Sequence, residues 1–145
     1  MTKSSKTLSF VASGSAMYTR KVSVSKDPDF LKVVDKLRDA DVSFMNFEGQ
    51  IGHPDAYAIK PYSFASYFFG EKWIAKEYAW TGFNLTSLAN NHMNDWSHHA
   101  IEESMKQLDE AGIVYAGAGM NLTAAREPGY LDTKNGRVAL ISIDS

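Results

Sequence analysis

Two hydrophobic patterns alternate along the chain. Short apolar runs that are typical of buried strands alternate with segments whose apolar residues recur at helical spacing. The strand-like runs cover residues 7–12, 42–47, 83–88 and 113–116. The helical patterns fall between them, with apolar stripes around Phe30–Leu37, Trp73–Ala79 and Ile101–Leu108. This order predicts an α/β fold with a largely parallel sheet flanked by helices.

Local start and stop signals sharpen these predictions. Asp27 followed by Pro28 predicts a helix that begins with an aspartate N-cap and a proline at its first position. Gly112 is a typical end for the third helix. Near the end of the chain, Asn135-Gly136 lies between two further strand-like runs, residues 130–132 and 138–143, and predicts a β-hairpin.

Two predicted loops are long. Residues 13–26 are polar and irregular, and we expect them to cover the carboxyl end of the first strand. Residues 49–70 show no clear period, and a loop of that length in a compact domain is usually functional. Asn121 is expected to cap a short helical turn further on.

Aromatic side chains are dense between residues 57 and 80. Since no helical or strand period would bury them all, we predict that residues 57–69 pack against something outside the chain, either a missing C-terminal half or a second copy. The alternative is that this segment folds over its own sheet. The aromatic residues concerned are Tyr57, Tyr62, Phe64, Tyr67, Phe68, Phe69, Trp73, Tyr78 and Trp80.

Composition narrows the functional classes. The 145 residues carry a formal net charge of −2 and are predicted to form a single domain, residues 1–145. Lys and Arg are scattered and offset by acids, which argues against a nucleic-acid partner. Without cysteine, disulfides and thiolate metal sites are excluded. No apolar window approaches the ~20 residues that span a bilayer, and no signal peptide is recognisable at the N-terminus.

The strongest chemical signal is the run SLANNHMND, residues 87–95, directly after the third predicted strand. In open α/β sheets, reactive groups gather outside the carboxyl ends of the strands. An Asn oxygen suits a hard cation, and an imidazole binds metal or moves a proton. The alternative is structural: Asn90 and Asn91 cap the next helix and His92 packs.

Four segments together resemble the CapA family, which is linked to poly-γ-glutamate capsule synthesis within the calcineurin-like metallophosphoesterases. Residues 14–20 (GSAMYTR) are similar to its GDxMxxR-like run, and residues 46–49 (NFEG) to its NLEG. Residues 88–96 (LANNHMNDW) are similar to its ANNHxxDY/F run, and residues 111–119 (AGIVYAGAG) to its AGIxxxGAG. The resemblance implies half of a metallophosphoesterase-like fold, CapA-like over residues 1–145 and incomplete at the C-terminus.

The resemblance also implies roles for individual residues. Glu48 and Asn91 would ligate a divalent metal (Mn, Zn or Mg), which in this superfamily activates water and stabilises the displaced oxygen. His92 would act near the leaving-group oxygen, with Asp95 fixing its imidazole tautomer. Arg20 would grip a phosphate or carboxylate oxygen. The structural alternatives are a Glu48 that caps a loop amide, an Asp95 that caps a helix, and an Arg20 that is simply exposed.

Other polar residues nearby are expected to be structural. Asn90 is expected to support the loop, since one amide beside the metal suffices. His98 and His99 are adjacent and cannot easily aim at one ion, so we expect surface or helix-start positions. Gly117-Ala118-Gly119 lacks a dinucleotide fingerprint and is expected to form a tight turn. His53, in the long loop, is left unassigned.

Two departures from the family pattern leave the function open. Ser15 stands where the family has a metal-ligating Asp, and a hydroxyl is a poorer ligand for a hard cation. The family's later His-containing metal motifs lie beyond the last residue, so metal is expected in the full-length protein and weakly or not at all in this chain. The resemblance implies an extracellular or cell-surface location, with a polymer-synthesis complex as partner. The competing functions are a metal-dependent hydrolase, a non-catalytic binding or assembly component, and an inactive fragment.

Overall fold

The computed structural model describes residues 7–59 and 68–144, in which strands and helices alternate as the sequence predicts. In chain order the elements are β1 (Phe10–Ala16), α1 (Pro28–Asp39), β2 (Val42–Phe47), β3 (Gln50–Ile51), β4 (Phe69–Gly70), α2 (Trp73–Thr81), β5 (Leu85–Ser87), α3 (His98–Glu110), β6 (Val114–Ala116), α4 (Leu122–Ala125), β7 (Gly129–Thr133) and β8 (Gly136–Leu140).

The central sheet confirms the α/β prediction. Within the described residues it has four strands in the order β1-β2-β5-β6, and all three neighbouring pairs are parallel. The loops that follow β2 and β5 therefore leave the same edge of the sheet, side by side. Helices flank the sheet, and the antiparallel pair β7-β8 forms a separate hairpin at the C-terminal end.

The core lies between this sheet and its helices. Val42 and Met45 of β2 are fully buried, and Tyr78 of α2 is 1% exposed. Burying each large apolar side chain contributes about 1.5–3 kcal/mol to stability. Helix α1 begins as predicted, because Asp27 Oδ1 accepts hydrogen bonds from the backbone N–H groups of Asp29 and Phe30.

The predicted boundary of the first strand was wrong. Residues 13–16 belong to β1 rather than to the loop, since Ser15 pairs with Asn46 and Ala16 with Phe47. The pairing register shifts between Ala12 and Ser15, which lets the strand continue past its apolar run. Ser15 thus lies in the strand, next to β2.

The long loop is also more ordered at its two ends than the sequence indicates. Gln50–Ile51 and Phe69–Gly70 pair in parallel as β3 and β4, which brings the two ends of the long loop (residues 49–70) together. Tyr62, Phe64 and Tyr67 lie outside the described residues.

Gly112 ends the third helix with a φ of 73°, which suits glycine.

The predicted hairpin is confirmed, but its turn is shifted by one residue. Thr133 pairs with Gly136, so the turn is centred on Lys134 and Asn135 rather than on Asn135-Gly136. The Thr133 hydroxyl accepts hydrogen bonds from both the Asn135 and the Gly136 N–H. The last strand was predicted to reach residue 143, but it ends at Leu140.

Candidate functional site

The candidate site lies at the carboxyl edge of the central sheet. Glu48 directly follows β2, and the loop of residues 88–95 follows β5 on the neighbouring strand. The sequence prediction that Glu48 and Asn91 leave the same end of the sheet is therefore confirmed, because β2 and β5 are parallel. This edge is where α/β folds place their binding sites.

His92 lies between two carboxylates. Its Nδ1 is 2.6 Å from Asp95 Oδ2, and its Nε2 is 3.6 Å from Glu48 Oε1. The Asp95 side chain is 4% exposed, whereas those of His92 and Glu48 are 16% and 24% exposed. The contact of Nδ1 with Asp95 holds the imidazole ring in an orientation in which Nε2 faces Glu48. A separation of 3.6 Å is too long for a hydrogen bond, so Glu48 and Nε2 face each other without bonding.

Asn90 anchors the loop that carries His92. Its Nδ2 donates to the Phe47 carbonyl at 2.9 Å and to Asn46 Oδ1 at 3.2 Å, and its Oδ1 accepts from the His92 N–H at 3.0 Å. One side chain thus ties the loop after β5 to the end of β2. These bonds agree with the structural role expected for Asn90.

Ser15 joins the same hydrogen-bond network. The Asn46 side chain donates from Nδ2 to Ser15 Oγ at 3.1 Å and accepts from Asn90 through Oδ1. The ends of β1 and β2 and the loop after β5 are therefore linked through side-chain amides and one hydroxyl. At this position the network holds a neutral hydroxyl, where the resemblance implies a carboxylate.

The described residues do not by themselves fit a metal centre. Across residues 7–59 and 68–144, no three His, Cys, Asp or Glu side chains converge as ligands would. Glu48 offers a carboxylate and Asn91 is an exposed amide in the turn that precedes His92, while Ser15 contributes only a hydroxyl. Hard divalent cations usually need six or more oxygen ligands, so the metal roles of Glu48 and Asn91 stay predictions.

Arg20 lies in the loop that follows β1. It is exposed and lines a separate cavity with Lys21, Val22, Val24, Ser25, Asp27 and Phe30. Its neighbours Tyr18 and Thr19 line the cavity beside Glu48 instead. Arg20 and Glu48 thus line different cavities, and the role of Arg20 beside His92 stays a prediction.

Glu77 holds that loop in place and was missed by the sequence reasoning. Its carboxylate accepts hydrogen bonds from the Val22 N–H and from the N–H and hydroxyl of Ser23, at 2.7–2.8 Å. Burial raises the pKa of Glu77, but the donors of Ser23 and Val22 outweigh it, so the pKa lies below its usual range. The sequence signal that could have identified Glu77 is a charged residue at a buried position of α2.

Two aromatic residues beside the cleft were also not assigned to it. Phe68 is half-buried and meets the His92 ring edge-on, with centroids 6.3 Å apart. Tyr78 donates from its hydroxyl to the Ala16 carbonyl at 2.7 Å, and burial raises its pKa well above the usual range. Their density in the sequence is a signal of packing, but only the paired β3 and β4 show which ring reaches the histidine.

The aromatic segment has mixed exposure. Phe68 is covered in part by its own chain, which favours the alternative that the segment folds over its own sheet. Phe69 is 45% exposed although its ring packs on Trp96 at 4.2 Å, and Tyr57 is 65% exposed. Tyr62 and Tyr67 lie outside the described residues, so packing against a partner stays a prediction.

His98 and His99 lie at the surface, as expected. His98 is the first residue of α3, and both His98 and His99 are exposed. The His99 ring stacks on His53 with centroids 5.4 Å apart.

Residues 9–145 match the family model described as "Bacterial capsule synthesis protein PGA_cap". The chain belongs to this bacterial capsule synthesis family. The match covers β1 to β8 and with them the whole candidate site. The resemblance to the CapA family is thereby confirmed.

The chain is also similar to individual curated proteins. Two proteins of Sinorhizobium fredii (strain NBRC 101917 / NGR234), "Uncharacterized protein y4sH" and "Uncharacterized protein y4uA", are each 34% identical over 134 residues, 91% of this chain and 29% of the relative. The "Capsule biosynthesis protein CapA" of Bacillus anthracis is 35% identical over 60 residues, 41% of this chain and 15% of that protein. The chain thus spans less than a third of the length of these relatives.

Among the helices of the described residues, none has the length and apolar character needed to cross a membrane.

Proposed function

We propose that this chain supplies the acid–base residues of a hydrolytic pocket, of metallophosphoesterase type, in a cell-surface protein of poly-γ-glutamate capsule synthesis. The observation that carries the proposal is the placement of His92 between buried Asp95 and Glu48. Membership in a capsule synthesis family supports the biological setting. The activity of the whole protein is part of the proposal, because the chain covers only a portion of its relatives.

His92 is the proposed general acid. In its protonated form it donates from Nδ1 to Asp95 and keeps a second N–H on Nε2, on the side that faces Glu48. As water forms a new bond to phosphorus and the phosphorus–oxygen ester bond breaks, the leaving oxygen takes the proton from Nε2; the neutral imidazole then regains a proton from solvent. Asp95 acts by holding the ring in place, and Asn90 fixes the backbone N–H of His92.

A divalent metal is proposed only for the full-length protein. Glu48 and Asn91 are the residues of this chain proposed to contribute oxygen ligands, and further donors would come from outside it. No step of the acid–base chemistry above depends on these two ligands. The proposed partner of the exposed aromatic segment is the remainder of the protein, a second copy, or a polymer-synthesis complex.

The test is hydrolysis of aryl and alkyl phosphate esters by the full-length protein. His92→Asn is expected to lower kcat by about 10²–10⁴-fold, since this is the usual contribution of a general acid. The loss should be larger for an alkyl than for a p-nitrophenyl leaving group, which needs little protonation. His99→Asn is the matched control, because the same change is made at an exposed helix start outside the cleft.

A second function is favoured by Ser15. Its hydroxyl accepts a hydrogen bond from Asn46 and occupies the position at which the resemblance implies a metal-ligating carboxylate. Loss of that carboxylate would fit a family member whose pocket binds a ligand without catalysis. Equal, slow turnover in wild type, His92→Asn and His99→Asn would contradict the hydrolase and favour a binding or assembly component. A loss equal for both leaving groups would contradict the assignment of His92 as the general acid.

A further inference from the structure

Asn46 stands at the centre of the polar network at the carboxyl edge of the sheet. Its Cα partner on β1 is Ser15, and its Cα partner on β5 is Ser87. Aligned residues of neighbouring strands point to the same face of a sheet, so the Asn46 amide lies between β1 and β5. It contacts the Ser15 hydroxyl at 3.1 Å and the side chain of Asn90, in the loop after β5, at 3.2 Å.

Two backbone groups fix the direction of every hydrogen bond in this network. The Phe47 carbonyl can only accept, so the Asn90 atom 2.9 Å from it is Nδ2. The His92 N–H can only donate, so the Asn90 atom 3.0 Å from it is Oδ1. Because Asn90 Nδ2 also faces Asn46, the atom of Asn46 that meets it is the acceptor Oδ1. Asn46 therefore turns its Nδ2 to Ser15, whose hydroxyl oxygen accepts.

An irregularity of β1 supplies that acceptor. Ala12 pairs with Phe44, so a regular strand would place Gly14 opposite Asn46. The register shift between Ala12 and Ser15 brings Ser15 to that position instead. Glycine has no side-chain acceptor, whereas a serine hydroxyl and an aspartate carboxylate each have one. The carboxylate that the resemblance implies at this position and the hydroxyl that is present are therefore equivalent for Asn46, although they differ for a cation.

We propose that Asn46 is a positioning residue for His92 and that Ser15 is its acceptor. Asn46 acts through Asn90, whose amide it holds in the orientation that receives the His92 N–H. A hydroxyl in place of a carboxylate at position 15 then removes a metal ligand but leaves the loop of His92 in place. The proposal deepens the proposed function, on which it rests only for the chemical role of His92. It makes the placement of the general acid independent of bound metal.

Hydrogen exchange of the loop of residues 88–95 tests the positioning directly. It is followed by mass spectrometry on the full-length protein with excess chelator, so that no metal contributes. Ser15→Ala removes the acceptor and is expected to accelerate exchange of this loop about two- to tenfold, the range for one hydrogen bond. Ser15→Thr and Ser15→Asp keep an acceptor and should exchange as the wild type does. Ser13→Ala, at another exposed position of β1, is the control.

Reversal of the last hydrogen bond gives a sharper test. In Asn46→Asp, one carboxylate oxygen still accepts from Asn90 and the other can accept from the Ser15 hydroxyl, so exchange should match the wild type. In the double variant Asn46→Asp/Ser15→Asp, two carboxylates face each other with no hydrogen between them. Exchange should then be faster than the two single changes together predict. Thermal melting checks that each variant folds.

Turnover of phosphate esters gives a second readout. Ser15→Ala is expected to lower kcat about two- to tenfold with KM little changed, because the change acts on the placement of His92. Ser15→Thr should retain the wild-type kcat. Loop exchange in Ser15→Ala equal to that of the wild type, or additive effects in the double variant, would overturn the proposal.

The two proposals fail separately, because hydrogen exchange needs no turnover. If loop exchange responds as expected but turnover is insensitive to His92→Asn, the positioning network stands and the hydrolase falls. If turnover depends on His92 but the loop of Ser15→Ala exchanges as the wild type does, the hydrolase stands and the positioning role of Asn46 falls.

Discussion

Asn135, in the hairpin turn, donates hydrogen bonds from Nδ2 to both carboxylate oxygens of Asp41, at 3.0 Å each. Asp41 also accepts from the N–H and the hydroxyl of Ser9. One carboxylate that precedes β2 therefore joins the start of β1 to the C-terminal hairpin. The hydrogen bonds from Ser9 and Asn135, with the charge of Lys134, lower the pKa of Asp41 to about 2.

This contact predicts acid-sensitive stability. Because the folded pKa of Asp41 lies below its ordinary value of 3.8, its contribution is fully present above about pH 4 and is lost as the pH falls toward 2. Urea unfolding should show Asn135→Ala less stable than wild type at pH 6, with the difference shrinking toward pH 2. Asn94→Ala, an exposed site away from Asp41, is the control. A difference independent of pH would contradict the assignment.

Glu77 should control the order of the loop after β1. Glu77→Ala removes the acceptor of the Val22 and Ser23 donors and is expected to cost about 1–3 kcal/mol, the penalty for buried groups left unpaired. It should also accelerate tryptic cleavage at Lys21. Chemical denaturation and timed proteolysis measure the two effects. Glu102→Ala is the control, and equal cleavage rates would show that Glu77 does not restrain the loop.

The N-cap of α1 offers a local test. Asp27→Ala removes the acceptor of the Asp29 and Phe30 N–H groups and is expected to lower the free energy of unfolding by about 1 kcal/mol. Asp35→Ala, in the exposed middle of the same helix, should change it by less than about 0.5 kcal/mol. Equal effects of the two variants in urea unfolding would argue against capping.

Ser15→Asp should strengthen divalent-metal binding. Aspartate can still accept the hydrogen bond from Asn46, and it places a carboxylate at the end of β1. Calorimetry with Mn²⁺ should show a larger gain in the full-length protein than in the 145-residue chain, because further ligands are expected outside this chain. Ser13→Asp, also exposed on β1, is the control. Tight stoichiometric binding by the unmodified 145-residue chain would contradict the expectation of an incomplete centre.

The sequence by itself determined the elements whose signals are local. The mostly apolar run 42–47 (VSFMNF) is β2, because a strand covered on both faces needs no strict polar alternation. Asp27 and Pro28 start α1, since capping depends only on the next three residues. The alternation of these elements implies a parallel sheet, and the parallel sheet implies that Glu48 and the loop of His92 share an edge.

Tertiary structure decided what depends on partners distant in sequence. Residues 13–16 are polar and carry no strand pattern, yet they extend β1 because β2 supplies hydrogen-bond partners. The loop after β1 is held by Glu77, which is 55 residues from Val22 in the sequence. Asn46 and Asn90 meet only after β2 and β5 pair. Local propensity acts over a few residues, whereas side-chain contacts across strands arise only when the chain has folded, so the fold was predictable and the detailed site was not.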